Sequence, residues 1–321
     1  MPESVRRGPD ESSVGPWKGR GVRPRVALVS ARAARGLDED LAPLLAALEE
    51  AGVDAAVVDW DDPGVDWGGF DAALLRSTWD YTERLVEFLA WADRASKLTA
   101  LVNSPAVVRW NTDKHYLRDL ARGGVPIVPT RFVEPGADEA RALEGFLAAE
   151  RAEEWVVKPA VGAGSRDAAR YARGDEPAAG AHIERLLQAG RSVMLQPYLS
   201  QVDRHGETAL IYFGGRFSHA IRKGPLLRRG NAPPDGLFAA EHITPRTPAA
   251  EELQVAQRVL GALPFATPLY ARVDQIRSAD GTPLLLELEL TEPSLFFAHA
   301  PGAAARLASR LCAQLHAAAS E

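Results

Sequence analysis

Apolar residues fall in two rhythms along the chain. Short apolar runs at 25–30 (RVALVS), 55–60, 71–76 and 98–102 read as strands. Between them, Leu41, Leu44, Leu45 and Leu48 recur at helical spacing in 38–51, which Gly52 closes. Leu85, Phe88, Leu89 and Ala92 do the same in 82–95. Strands alternating with helices predict an open parallel sheet covered on both faces. Further on, 107–123 reads as short helical pieces, with Asn111 or Thr112 capping the helix that carries Leu117 and Leu120. A strand at 127–133, a helix at 137–152, a strand at 155–157, a helix at 177–189 and a strand at 192–196 follow. Two hairpins come next, 207–213 with 216–222 around Gly214-Gly215, and 269–277 with 283–290 around Ala279-Asp280-Gly281. Helices are expected at 249–263 and 301–319, and no fixed-period repeat is visible. The stretch 225–241 is rich in Pro, Gly and Arg without periodicity, which predicts a mobile loop.

Composition narrows the class. A chain of 321 residues with 46% apolar content supports two or three packed units. A net charge of −6 argues against a general nucleic-acid or anionic-membrane binder. Cys312 is the only cysteine, so an internal disulfide or cysteine-rich metal site is excluded. No apolar run approaches the ~20 residues that span a bilayer. Residues 1–24 lack the apolar centre of a signal peptide and read as a disordered extension, which makes the cytoplasm the expected location.

Candidate chemistry sits at three places. Trp155, Val156 and Val157 deliver Lys158 to a turn with Pro159, Gly162, Gly164 and Ser165. Glycines let several N–H groups point at one anion beside a lysine, which suits a polyphosphate; a hairpin with a snorkelling lysine is the alternative. Lys114, in a first helical turn, is a second phosphate candidate or a solvated surface lysine. Ser77, Thr78, Trp79, Asp80 and Tyr81 follow the third strand, where open sheets bind ligands, or else form a helix cap with an aromatic lid. In the last hairpin, Arg272 and Asp274 alternate with apolar residues, as do Glu287 and Glu289. If the register pairs them, an arginine and three carboxylates share one sheet face. Oxygen-only donors suit Mg²⁺ or Mn²⁺; a solvent-facing, charge-alternating hairpin is the other reading.

Taken in order, these parts resemble the ATP-grasp superfamily from about residue 25 to 319. The parts are Lys114, VVKPAVGAGS, LQPYL, HGETALIYF, ARVD and LELEL. The resemblance implies an α/β chain, α+β in its C-terminal part: an extension (1–24), a pre-grasp open-sheet domain (25–103), a central subdomain with a glycine lid (104–197), and a C-terminal subdomain with the metal site (198–321). It implies that Lys114 and Lys158 hold ATP phosphates under a lid of Gly162, Gly164 and Ser165. Gln196, Tyr198 and Leu199 would line the adenine hinge, and Asp203 would bind ribose. Asp274, Glu287 and Glu289 would hold two Mg²⁺ ions, with Glu289 standing where relatives usually carry Asn. Arg272 would stabilise charge on an acyl phosphate, and Arg222 and Lys223 would face the γ-phosphate or the substrate carboxylate. The run LLRSTWDYTERLVEFLAW with VVRWNTDKHYLRDLARGGVPIVPT resembles the glutathione-synthetase-like branch, which includes O-ureido-serine cyclo-ligases. The implied activity is ATP-dependent carboxylate–amine ligation on an amino-acid-like carboxylate, within one molecule or between an amino acid or peptide and a second amine. A phosphotransferase and a non-catalytic ATP-binding module are the remaining alternatives. Many family members are dimers or tetramers, so a homo-oligomer is expected without an assigned interface.

Overall fold

Strands β1 (Arg25–Ser30), β2 (Asp54–Asp59), β3 (Ala72–Ser77) and β4 (Ala100–Val102) form a parallel sheet in the order β2-β1-β3-β4. They belong to a computed structural model that describes residues 23–227 and 242–318. Most of the expected N-terminal extension and of the expected 225–241 loop therefore lies outside the described residues. β1 and β3 are buried nearly end to end, as expected of central strands covered on both faces. The helix Leu41–Glu50 and the last helix, Ala303–Ala318, lie together on this sheet. Leu44, Leu48, Leu307, Leu311 and Cys312 share one core with Ile211 and Phe213 of a later strand. The chain thus folds its end back onto its beginning, and Cys312 is a buried packing thiol.

A second, antiparallel sheet comprises β5 (Arg131–Val133), β6 (Glu154–Pro159), β7 (Ala169–Ala172) and β8 (Val193–Pro197), in the order β5-β8-β6-β7. Helices Glu139–Glu150 and Glu176–Gln188 pack on it through Phe146, Ile183, Leu186 and the fully buried Trp155. The third sheet comprises β9 (Glu207–Phe213), β10 (Arg216–Lys223), β11 (Ile243–Arg246), β12 (Tyr270–Arg277) and β13 (Pro283–Glu289), in the order β11-β10-β9-β12-β13. Its pairings are antiparallel. Both expected hairpins are present. β7, β11 and the short helix Gln201–His205 were not expected from the sequence, being too short to show a period.

Two expectations change for the same reason, tertiary use of a polar side chain. The first helix starts at Leu41 rather than 38, because Asp40 is drawn elsewhere. Its carboxylate accepts from the backbone N–H of Leu295 (2.6 Å), Phe296 (3.1 Å) and Phe297 (2.8 Å). Asn111 caps no helix, since the helix Tyr116–Arg122 begins after it. Its amide instead donates to the Leu288 carbonyl (2.8 Å) and accepts from the Leu290 N–H (2.7 Å). Tyr116 accepts from the Leu288 N–H at 2.9 Å, and Asn103 donates to the Leu290 carbonyl at 2.7 Å. The expected strand at 127–133 shrinks to β5, because Pro126 and Val128 bond Leu285 instead. β13 is thus an edge strand whose outer side is sealed by residues 103–128. Asn111→Ala leaves buried backbone groups unpaired and should cost about 2–4 kcal/mol, from roughly 1–3 kcal/mol for each unsatisfied group. Urea unfolding measures this, and a loss below about 0.5 kcal/mol would contradict the role given to Asn111.

Candidate active site

The second and third sheets face each other across a cleft, bordered from the parallel-sheet domain by Trp79, just after β3. Counted to its open mouth, the space is about 1420 Å³.

The third sheet supplies the acidic wall. Arg272 pairs with Glu289 and Asp274 with Glu287 across the β12–β13 hairpin, the register the sequence required. A register shift after Asp274 ends the regular pairing beside the site. Arg272 Nε donates to Asp274 Oδ1 at 2.9 Å, and its outer nitrogen donates to Asp274 Oδ2 at 2.8 Å and also to Glu289. Burial works against the Arg272 charge, but Asp274 and Glu289 outweigh it and hold the guanidinium firmly protonated. The same burial opposes the Asp274 carboxylate, yet Arg272 and Lys223 hold it well below the usual range. Burial pushes Glu289 up to about 7 despite Arg272, with Glu287 and Asp274 adding to the rise.

Lys223 closes this wall from β10. It bonds Asp274 at 2.7 Å and also pairs with Glu207. Gly206, which precedes Glu207, has φ +68°, and a Cβ there would meet the Lys223 carbonyl at 2.4 Å. Glycine is therefore required where the chain turns into β9.

The second sheet supplies the basic wall. Lys158 leaves β6 into a loop with Gly164 and Ser165 in left-handed backbone (φ 62° and 60°). Among the described residues, its ammonium makes no ion pair or hydrogen bond, although it lines the cleft. Burial lowers its pKa; Glu287 resists, while Lys114 and Lys223 add to the fall. Lys114 lies opposite, 2.9 Å from Glu287 and 2.5 Å from the Gly162 carbonyl. Its burial is outweighed by Glu287, so its pKa rises. Arg166 ties the glycine loop to Glu83 of the first domain at 2.6 Å. Gln196, Tyr198 and Leu199 also line the cleft. The Arg170 guanidinium lies 3.4 Å over the Tyr198 ring, and the Tyr198 hydroxyl donates to Asp203 at 2.6 Å.

The structure separates some expected site residues from the cleft. Arg222 does not line it, but donates to the carbonyls of His205 (2.8 Å) and Arg204 (3.3 Å). Neighbouring residues of a strand face opposite ways, so Lys223 pointing in puts Arg222 out. Asp203 supports Tyr198 rather than lining the wall, and Asp274 lies behind its cations. Of Ser77 to Tyr81, only Trp79 lines the cleft. Ser77 donates to Ser30 (2.9 Å), and Asp80 accepts from Trp60 (2.9 Å). Thr78 and Tyr81 are buried behind the wall. Among the described residues, no group of His, Cys, Asp and Glu stands in metal-holding geometry, because the carboxylates are turned to lysines and arginines.

Two wall residues escape the sequence pattern. Phe296, with φ 55°, lies 5.5 Å from the Arg272 guanidinium. Glu292 follows β13 just past the alternation of Glu287 and Glu289, and the adjoining Pro293 was the one local sign of a fixed acid there. Burial pushes Glu292 up to about 8 and Glu289 adds to this, while the Tyr81 hydroxyl and Lys114 resist.

A lysine-and-glycine wall facing an acidic wall across two antiparallel sheets, behind an open parallel-sheet domain, is the architecture of the ATP-grasp enzymes. The chain matches the family model described as D-cycloserine synthetase DcsG, N-terminal domain, over residues 26–103. It is 43% identical over 301 residues to the cycloserine biosynthesis protein DcsG of Streptomyces lavendulae, covering 90% of this chain and 98% of that one. The crystal structure of D-cycloserine synthetase DcsG superposes with a TM-score of 0.85 at 43% identity, covering 91% and 99% of the two chains. D-alanine–D-alanine ligase from Bacillus anthracis, in complex with ATP, shares the fold at 16% identity and a TM-score of 0.64, over 92% and 99%. The chain belongs to the DcsG family of ATP-grasp ligases and is an ATP-dependent carboxylate–amine ligase. Among the described residues, no helix is long and apolar enough to cross a membrane.

Proposed function

We propose that the protein is a cyclo-ligase that closes a ring within one O-ureido-serine-like amino acid at the expense of ATP, in the cytoplasm. The observation that carries the nucleotide half is Lys158, a buried-side lysine facing an acid-rich cleft without a partner among the described residues. A polyphosphate supplies the missing anion. The 43% identity with DcsG over nearly the whole chain supports the cyclising half.

In this reading, Lys158, Lys114 and the N–H groups around Gly162, Gly164 and Ser165 hold the phosphates, and Gln196, Tyr198 and Leu199 hold the base. Asp203 acts on the ribose only indirectly, by fixing Tyr198. The donor set fits a divalent cation in kind: Glu287 and Glu289 present oxygens alone, and Glu289 carries more burial than Arg272 compensates. Asp274, held by Lys223 and Arg272, would be the third oxygen donor of that set. Bound Mg²⁺ or Mn²⁺ would neutralise charge on the transferred phosphoryl group. The substrate carboxylate attacks the γ-phosphorus, ADP departs, and an acyl phosphate results. The substrate's own nitrogen then attacks the acyl carbon and phosphate leaves. Arg272, held between Asp274 and Glu289, is placed to stabilise the developing oxyanion. The Arg166–Glu83 pair holds the glycine loop over the cleft, where it keeps water from the acyl phosphate.

The test is ADP release with O-ureido-serine, ATP and Mg²⁺ and no second amine. Release stoichiometric with a cyclic product is expected. Release that appears only when a second amino acid is added would replace the cyclo-ligase with an amino-acid or peptide ligase.

A further inference from the structure

Charge pairing in the cleft leaves one acid over. Glu207 pairs with Lys223, Glu287 with Lys114 and Glu289 with Arg272. Glu292 lines the same cleft, is only 6% exposed, and makes no ion pair among the described residues. It is not loosely placed. The Tyr81 hydroxyl lies close behind its carboxylate, near enough to oppose the rise in its pKa, and the Trp79 indole donates to its carbonyl at 3.1 Å. Arg76, fully buried, donates to the next carbonyl, Pro293, at 2.9 Å. A buried acid fixed this firmly without an ion-pair partner among the described residues pays a desolvation cost to ionise, and so holds its proton to higher pH than its neighbours. That cost falls when a cation enters with a ligand. Lys158 and its glycine loop stand on the other wall, and Lys114 is turned to Glu287 and the Gly162 carbonyl, so this corner, with Trp79 beside it, faces the substrate rather than the nucleotide.

We propose that Glu292, backed by Tyr81, is the receptor for the primary ammonium group of the amino-acid substrate. The inference rests on the ligase reading above and adds the group by which the site selects amino acids over plain carboxylates. It also gives the first domain its part in the site: Trp79 forms the wall and Tyr81 orients the acid.

The experiment compares O-ureido-serine with its desamino analogue, 3-(ureidooxy)propionate, by ADP release at saturating ATP and Mg²⁺. The wild-type enzyme should prefer the amino compound by about 10²-fold in kcat/KM, the size expected for a desolvated charge pair. Glu292→Gln should bring that preference below about fivefold, mainly through KM. Tyr81→Phe keeps the ring and removes the hydroxyl, and it should lower the preference in the same direction by a smaller factor. If both variants keep the wild-type preference, or if Glu292→Gln shifts only the Mg²⁺ requirement, the assignment is overturned. A wild-type enzyme that uses both compounds equally overturns it too and leaves the ligase reading standing. A wild-type enzyme that releases no ADP with either compound removes the cyclo-ligase reading and the inference with it.

Discussion

Replacing Arg272 with alanine should reduce turnover by about 10²–10³-fold, the range seen when a single oxyanion donor is removed, while ATP affinity stays within about threefold. The guanidinium reaches the cleft from the acidic wall, opposite Lys158, so in the proposed mechanism its contribution falls on the reacting acyl group. Part of any loss will be structural, because truncation leaves Asp274 and Glu289 buried with one cation fewer. Arg272→Lys separates the two effects. It keeps the charge and loses the fork that spans Asp274, Glu289 and the Ser294 carbonyl. A folded Arg272→Lys enzyme with near-normal turnover would remove the oxyanion role. Thermal unfolding checks the fold, and quenched-flow ADP release with calorimetric ATP binding checks the rest.

The complementary result is expected at Lys158. Lys158→Met keeps the stem and deletes the ammonium, and it should weaken ATP binding by about 10–100-fold, or roughly 1.5–3 kcal/mol for one charge-assisted bond. Stability should hold or rise, because the removed charge had no partner among the described residues and was opposed by burial. Lys114→Met should behave differently. Lys114 bonds Glu287 and the Gly162 carbonyl in the protein itself, so its removal should cost stability as well as affinity. Equal stability losses for both variants would contradict the distinction. Calorimetry with a non-hydrolysable ATP analogue and thermal unfolding decide between them.

The parts of the site that the sequence disclosed are those written in strand periodicity. Arg272, Asp274, Glu287 and Glu289 alternate with leucine and valine, and a hairpin turn sets their pairing, so local information suffices. Lys158 was legible because a strand delivers it to glycines. The same rule, applied to Arg222 and Lys223, shows that only one of them can face in, and the structure selects Lys223. What was hidden depends on distant partners. Asn111 looks like a cap until β13 lies beside it, and Asp40 looks like a helix start until residues 295–297 arrive. Ser77 to Tyr81 reads from sequence either as ligand contacts or as a helix cap with an aromatic lid. A tight turn gives a single outward side chain, Trp79, while its neighbours bond Ser30 and Trp60 from the rear. Glu292 lies beyond the end of the repeat, so no period marked it.

The clasp at Asp40 bears on how such a ligase can be recombined. Its carboxylate holds the backbone of residues 295–297, which carries Phe296 to Arg272, and Arg76 of the same domain holds residue 293. The segment after β13 is therefore moulded by residues more than two hundred positions upstream. Grafting a relative's first domain onto this chain would exchange the mould and leave the casting behind. A functional chimera should need a second crossover, one that transplants the 291–297 stretch with the domain that shapes it. Modular in outline, the enzyme is inherited as an interlocked pair of distant segments.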